Sequence, residues 1–109
     1  MVNLIIKNLK EVEESVRDKS EELIESKTEF YQELFKKYDK DLTIEVIVNK
    51  SASTYTISAS IDLKSKKVLL AEEGKDAIQV ITKLFNEFKK AVKRQYELER
   101  KDYEYKRKR

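Results

Sequence analysis

The sequence predicts an α+β fold, a two-layer β-α-β-β-β-α domain whose four-stranded mixed sheet carries two helices on one face. Three observations predict it. Apolar residues recur at three- and four-residue spacing over residues 11–38 and again over 77–96, the period of helices with one buried stripe. Tyr55, Ile57, Ala59, Ile61 and Leu63 alternate strictly with Thr56, Ser58, Ser60 and Asp62, the period of a strand. Shorter β-branched or alternating runs at 2–7, 42–48 and 68–71 supply three further strands.

Taken in order, Val2-Asn3-Leu4-Ile5-Ile6-Lys7 is the first strand. The first helix follows from Val12, Val16, Leu23, Ile24, Phe30, Tyr31, Leu34, Phe35 and Tyr38. Glu11, Glu13 and Glu14 at its start and Lys36 and Lys37 at its end suit the helix dipole. Leu42, Ile44, Val46 and Val48 face one way in the second strand, and residues 49–53 form a polar turn into the third. The polar side of that third strand is small hydroxyls plus one acid, so the sheet face it belongs to meets water or a polar partner. Lys64-Ser65-Lys66-Lys67 turns the chain into the fourth strand. Gly74 is expected to permit a sharp turn and Asp76 to cap the second helix. That helix buries Ala77, Ile81, Leu84, Phe85, Phe88 and Val92, and its period fades beyond Tyr96. A right-handed crossover makes the first two strands parallel. Residues 1–96 form a single domain, and 97–109 form a basic C-terminal helix extension or tail.

Composition excludes much chemistry. The 109 residues suit one domain. No Cys and no His are present, so thiol nucleophiles, imidazole bases, disulfides and the usual metal ligands are missing. One Gly and no Pro leave no Gly-rich phosphate loop and no flexible linker. Glu72, Glu73 and Asp76 sit where acids cap a helix, and Ser51, Ser53, Ser58 and Ser60 have no activating base. The sequence therefore predicts no enzyme, no cofactor, no metal and no small-molecule substrate. No run approaches the roughly 18 apolar residues of a membrane span, and residues 1–7 are too short for a signal-peptide core. A cytoplasmic protein without a membrane partner is expected.

Net charge is only +3, from 24 basic and 21 acidic residues. It is unevenly placed. Up to Glu72 there are 12 basic and 14 acidic residues, and after it 12 and 7, so the two parts carry −2 and +5. On a helical wheel Lys83, Lys90, Lys93, Arg94 and Lys101 lie opposite the apolar stripe of the second helix, flanked by Lys89 and Arg100. Such a face suits phosphates. Residues 106–109 are all basic, and Tyr96, Tyr103 and Tyr105 are candidate stacking platforms for unpaired bases. The first helix carries Glu11, Glu13, Glu14, Asp18, Glu21, Glu22, Glu25 and Glu29, a solvated acidic face.

The stretch Thr56-Ile57-Ser58-Ala59-Ser60-Ile61, with Val68-Leu69-Leu70-Ala71-Glu72-Glu73-Gly74-Lys75-Asp76 and Lys89-Lys90-Ala91-Val92-Lys93-Arg94-Gln95, resembles the ribosome hibernation-promoting factor family. The element order agrees. The resemblance implies a domain like those that bind double-stranded RNA, docking by basic helices on the small ribosomal subunit and its ribosomal RNA near the decoding centre. It implies a stress-response factor without catalytic activity that stops translation on idle ribosomes. By position, Lys90, Lys93 and Arg94 fall in the family's late basic cluster, Lys50 falls where a basic residue follows the second strand, and Asp76 opens the last helix. The sequence departs from the family's usual residues at Ile78, Thr82 and Gln95-Tyr96. It resembles the short form, without the second, dimerising domain of longer relatives.

A reading from another class stands beside it. Helix faces or an exposed sheet edge would make the chain a protein–protein adaptor, or a homodimer, without RNA binding.

Overall fold

The structure, a computed structural model, describes the backbone of residues 1–107 and the side chains of residues 1–101. Strand β1 (Val2–Lys7) passes through a 3-10 turn at Leu9–Glu11 into helix α1 (Glu14–Leu34). Strands β2 (Leu42–Ser51), β3 (Thr54–Asp62) and β4 (Lys67–Gly74) follow, and helix α2 (Ala77–Arg107) ends the described chain. The sheet order is β1-β2-β3-β4, with β1 and β2 parallel and the other pairs antiparallel. This is the α+β, β-α-β-β-β-α architecture that the hydrophobic periods predict.

The strands sort their side chains by alternation. Ile44, Val46 and Val48 of β2 and Ile57, Ala59 and Ile61 of β3 are buried toward the helices. Ile24 and Tyr31 of α1 and Ile81, Leu84, Phe85, Phe88 and Val92 of α2 complete the core. Truncating a buried ring such as Phe88 to Ala costs about 3–5 kcal/mol, so this single layer of contacts sets the stability. The helices run parallel, as Tyr31 packs on Phe88 (ring centroids 5.8 Å apart) and Phe35 on Tyr96 (4.9 Å).

Four local features depart from the periodic reading. Helix α1 starts at Glu14 rather than residue 11, because Asn8 takes a left-handed conformation (φ 61°) and the chain makes a 3-10 turn first. Val12 is extended and buried, and the next backbone N–H, on Glu13, donates to Tyr55 Oη at 3.0 Å. Its apolar character serves the core without belonging to the helix. The β2–β3 turn contains only Ala52 and Ser53, since Ser51 already pairs with Thr54, and Ala52 accepts a φ of 56° to close it. Gly74 has no left-handed φ; a Cβ there would stand 3.0 Å from Val80 Cγ2, so glycine supplies room for α2 to pack rather than a special backbone angle. Asp76 caps as expected, accepting from Ile78 N at 3.0 Å.

Helix α2 passes residue 96 without a break and reaches Arg107. At 1.5 Å per residue its 31 residues span about 46 Å, which accounts for a molecule 55 Å along its long axis. Beyond Tyr96 the apolar stripe stops because the helix has outrun the sheet.

Candidate nucleic-acid interface

The outer surface of α2 displays every basic residue predicted on it: Lys83, Lys89, Lys90, Lys93, Arg94, Arg100 and Lys101 are all exposed. They form two flanks rather than one face. Lys83, Lys90 and Arg94 line a groove between α2 and β4, together with Leu70, Glu72 and Ala91. Lys89 lies on the other side, its ammonium 4.5 Å above the Phe30 ring of α1, and Arg100 lies over Tyr96, which packs against the end of α1. Lys93 stands near the crest between the flanks by its place on the wheel.

Local pairing separates engaged cations from free ones. Lys83 reaches half-buried Glu72 at 3.8 Å and Lys90 reaches Glu87 at 3.6 Å, and both lysines are exposed. Such pairs contribute little and exchange readily for a phosphate. Lys93, Arg94 and Lys101 have no carboxylate partner among the described residues. Tyr96 is no stacking platform, because Phe35 and Tyr38 already hold it. Tyr103, Tyr105 and the basic run 106–109 lie outside the residues whose side chains are described.

Lys50 does not join this group. It sits at the β2–β3 hairpin with its ammonium 5.3 Å from the Tyr55 ring, and Tyr55 pairs with Gly74 just before α2 begins. Lys93 lies about 25 Å further along the helix. Lys50 is thus at the acidic end of the molecule, beside the first turns of α1.

The fold brings in cations that the helical wheel omits. The exit from α1 and the β3–β4 turn both meet the second half of α2, so exposed Lys36, Lys37, Lys40, Lys64, Lys66 and Lys67 stand around Lys89–Lys101. The runs at 36–37 and 64–67 were visible in sequence, but only the parallel helix arrangement puts them at one pole. The junction is built around Glu99. Its carboxylate accepts from Tyr38 Oη at 2.5 Å, from Ser65 N at 3.1 Å and from the Ser65 hydroxyl. Gln95 Nε2 donates to Ser65 Oγ at 2.8 Å, and Lys64 N donates to Tyr38 Oη at 2.9 Å. Burial and the hydrogen bond to Glu99 push the Tyr38 phenol up to about 12. The Lys64 ammonium, which is paired with Asp39, lowers that carboxyl below its usual range by hydrogen bonding and by charge. Glu99 is thereby committed to structure, whereas the Lys64–Asp39 pair is exposed and exchangeable and Glu97 is exposed, so the surrounding basic residues outnumber the acids they meet.

No family model matches the sequence, and no curated protein matches it. Solved structures do. The N-terminal domain of protein Y from Thermus thermophilus superimposes with a TM-score of 0.56 at 19% identity, covering 85% of this chain and 96% of that one. A ribosomal subunit interface protein from Coxiella burnetii superimposes with a TM-score of 0.56 at 16% identity, covering 88% and 99%. The chain shares their fold. At this identity the likeness concerns backbone architecture, and the side chains at the basic pole have to be argued from this molecule.

Proposed function

We propose that this protein binds ribosomal RNA on the small ribosomal subunit and inhibits translation sterically, with no chemistry of its own. The observation that carries the reading is the basic pole. One end of the helix layer presents Lys89, Lys93, Arg94, Arg100 and Lys101, with Lys64, Lys66 and Lys67 beside them; Glu99 is tied into the fold, and the exposed acids among them, Asp39, Asp62 and Glu97, are fewer than the cations. A rigid helix with exposed cations along about 27 Å from Lys83 to Lys101 matches phosphates on a folded RNA far better than a single anionic ligand. The shared fold supports the choice of RNA, since one of the two similar structures is described as a ribosomal subunit interface protein. On this reading the protein blocks the channel used by messenger and transfer RNA near the decoding centre, and it acts in the cytoplasm as a hibernation factor.

The test is co-sedimentation with small ribosomal subunits at rising salt. Binding is expected to weaken by about one unit of log–log slope for each phosphate contact. The variant K90E/K93E/R94E should lose pelleting at salt concentrations where the parent chain is retained. Undiminished pelleting of that variant would sink the assignment.

A further inference from the structure

The two edges of the sheet are built differently. At β1, six residues long, the Gln32 side chain closes the edge at Val2, accepting from Val2 N at 3.2 Å and donating to Val2 O. At β4 no side chain among the described residues bonds the backbone of 67–74, although the strand is eight residues long and carries no proline. An open edge of that length is a template for another strand.

We propose that this edge is a homodimer interface, in which two copies join β4 to β4 antiparallel about a two-fold axis at Leu70 and form one continuous sheet under four helices. Charge selects the partner and the register. A two-fold axis normal to the sheet keeps helices on one face only if odd positions pair with odd and even with even. Centred on Leu70, Lys67 of each copy then faces Glu73 of the other, and exposed Leu69 faces Ala71 between them. Neither Lys67 nor Glu73 has an ion-pair partner within the described chain.

The helix layer fits the same axis. Helix α2 packs over both β3 and β4. With strands about 4.8 Å apart, an axis above the gap between them places the two α2 helices about 10 Å from each other, an ordinary packing distance. The contacts of Lys83 with Glu72 and of Val80 with Gly74 fix α2 along β4. Given rises of about 1.5 and 3.3 Å per residue, Leu70 lies beside residues 88–89. There Glu87, Lys90 and Ala91 line the groove. Across an antiparallel two-fold, Glu87 of one copy meets Lys90 of the other, the small Ala91 lets the helices approach, and Lys83, which lies opposite Arg94, is already paired with Glu72. The dimer covers Lys67, Lys83, Lys90 and Arg94, so it competes with RNA on that flank and leaves Lys89, Lys93 and Arg100 outside.

Sedimentation equilibrium of RNA-free protein tests this without reference to ribosomes, so its failure and that of the RNA reading are separable. The parent chain is expected to reach twice the chain mass. The variants K67E and E73K, both at exposed positions that leave the core untouched, should each weaken association about tenfold by opposing like charges across the strands. K67E/E73K together should restore it. A parent chain that stays monomeric to about 1 mM overturns the proposal, as do single variants that associate like the parent or a double variant that stays dissociated. A monomer whose β4 amide signals shift only when duplex RNA is added would give the edge to RNA instead and overturn it equally.

Discussion

Three tyrosines at the seams of the layers show how far a side chain's role depends on its neighbours. Tyr55 Oη accepts from the backbone of Glu13, and Tyr38 Oη links Glu99 to the β3–β4 turn. Tyr31 is 1% exposed and its hydroxyl has no partner among the described residues, while burial raises its pKa. A hydroxyl left unpaired in the core costs about 1–3 kcal/mol of desolvation, against which its ring packing on Phe88 and Phe30 is favourable. Removing the oxygen keeps the ring, so Tyr31→Phe is expected to stabilise the chain by about 1 kcal/mol, read as a higher urea midpoint at unchanged slope. A lower midpoint would show that the hydroxyl is satisfied. All three residues stand out in sequence only as aromatics at seam positions. Which oxygen is a cross-tie is decided by groups 26 to 61 residues away, and no local pattern records that.

At the scale of elements, β1 and β4 rested on short β-branched or apolar runs, while the periods of 2 and 3.6 were sufficient for β2, β3 and both helices, each with one buried face and solvent on the other. They failed where an apolar residue reaches the core without its element, as Val12 does, and where a helix persists without an apolar face, as α2 does beyond Tyr96. What holds the extension there is Glu99, whose carboxylate accepts from two side-chain hydroxyls and one backbone N–H. Charged hydrogen bonds of this kind contribute about 1.5–3 kcal/mol each, discounted here because the site is partly open to water. Glu99→Ala should therefore release the helix locally. Amide protection from residue 97 onward is expected to fall at least tenfold in hydrogen exchange, while protection in β2 and β3 is retained. Equal loss of protection in the strands would mean that Glu99 supports the whole fold rather than the extension.

Across the whole molecule, charge is organised along the long axis. The parallel helices place the acidic first half of α1 beside the start of α2, and the basic second half of α2 beside Lys36, Lys37 and the 64–67 turn. A net charge of +3 is therefore the residue of two opposed poles. The basic stripe of α2 was legible in sequence because a helix brings positions three and four apart together. The turn lysines were not, since they join the site only through Ser65 and Glu99, 34 residues apart. Lys50 was assigned by resemblance alone and falls at the opposite end. These positions make opposite predictions. If RNA engages the pole, K64Q/K66Q/K67Q should lower the slope of log affinity against log salt by about 2–3, whereas Lys50→Gln should leave it unchanged. Fluorescence anisotropy with a labelled fragment of small-subunit RNA reads both. A slope that falls with Lys50 and holds with the turn variant would move the contact surface to the hairpin end, where acidic α1 would have to repel the same phosphates that Lys50 attracts.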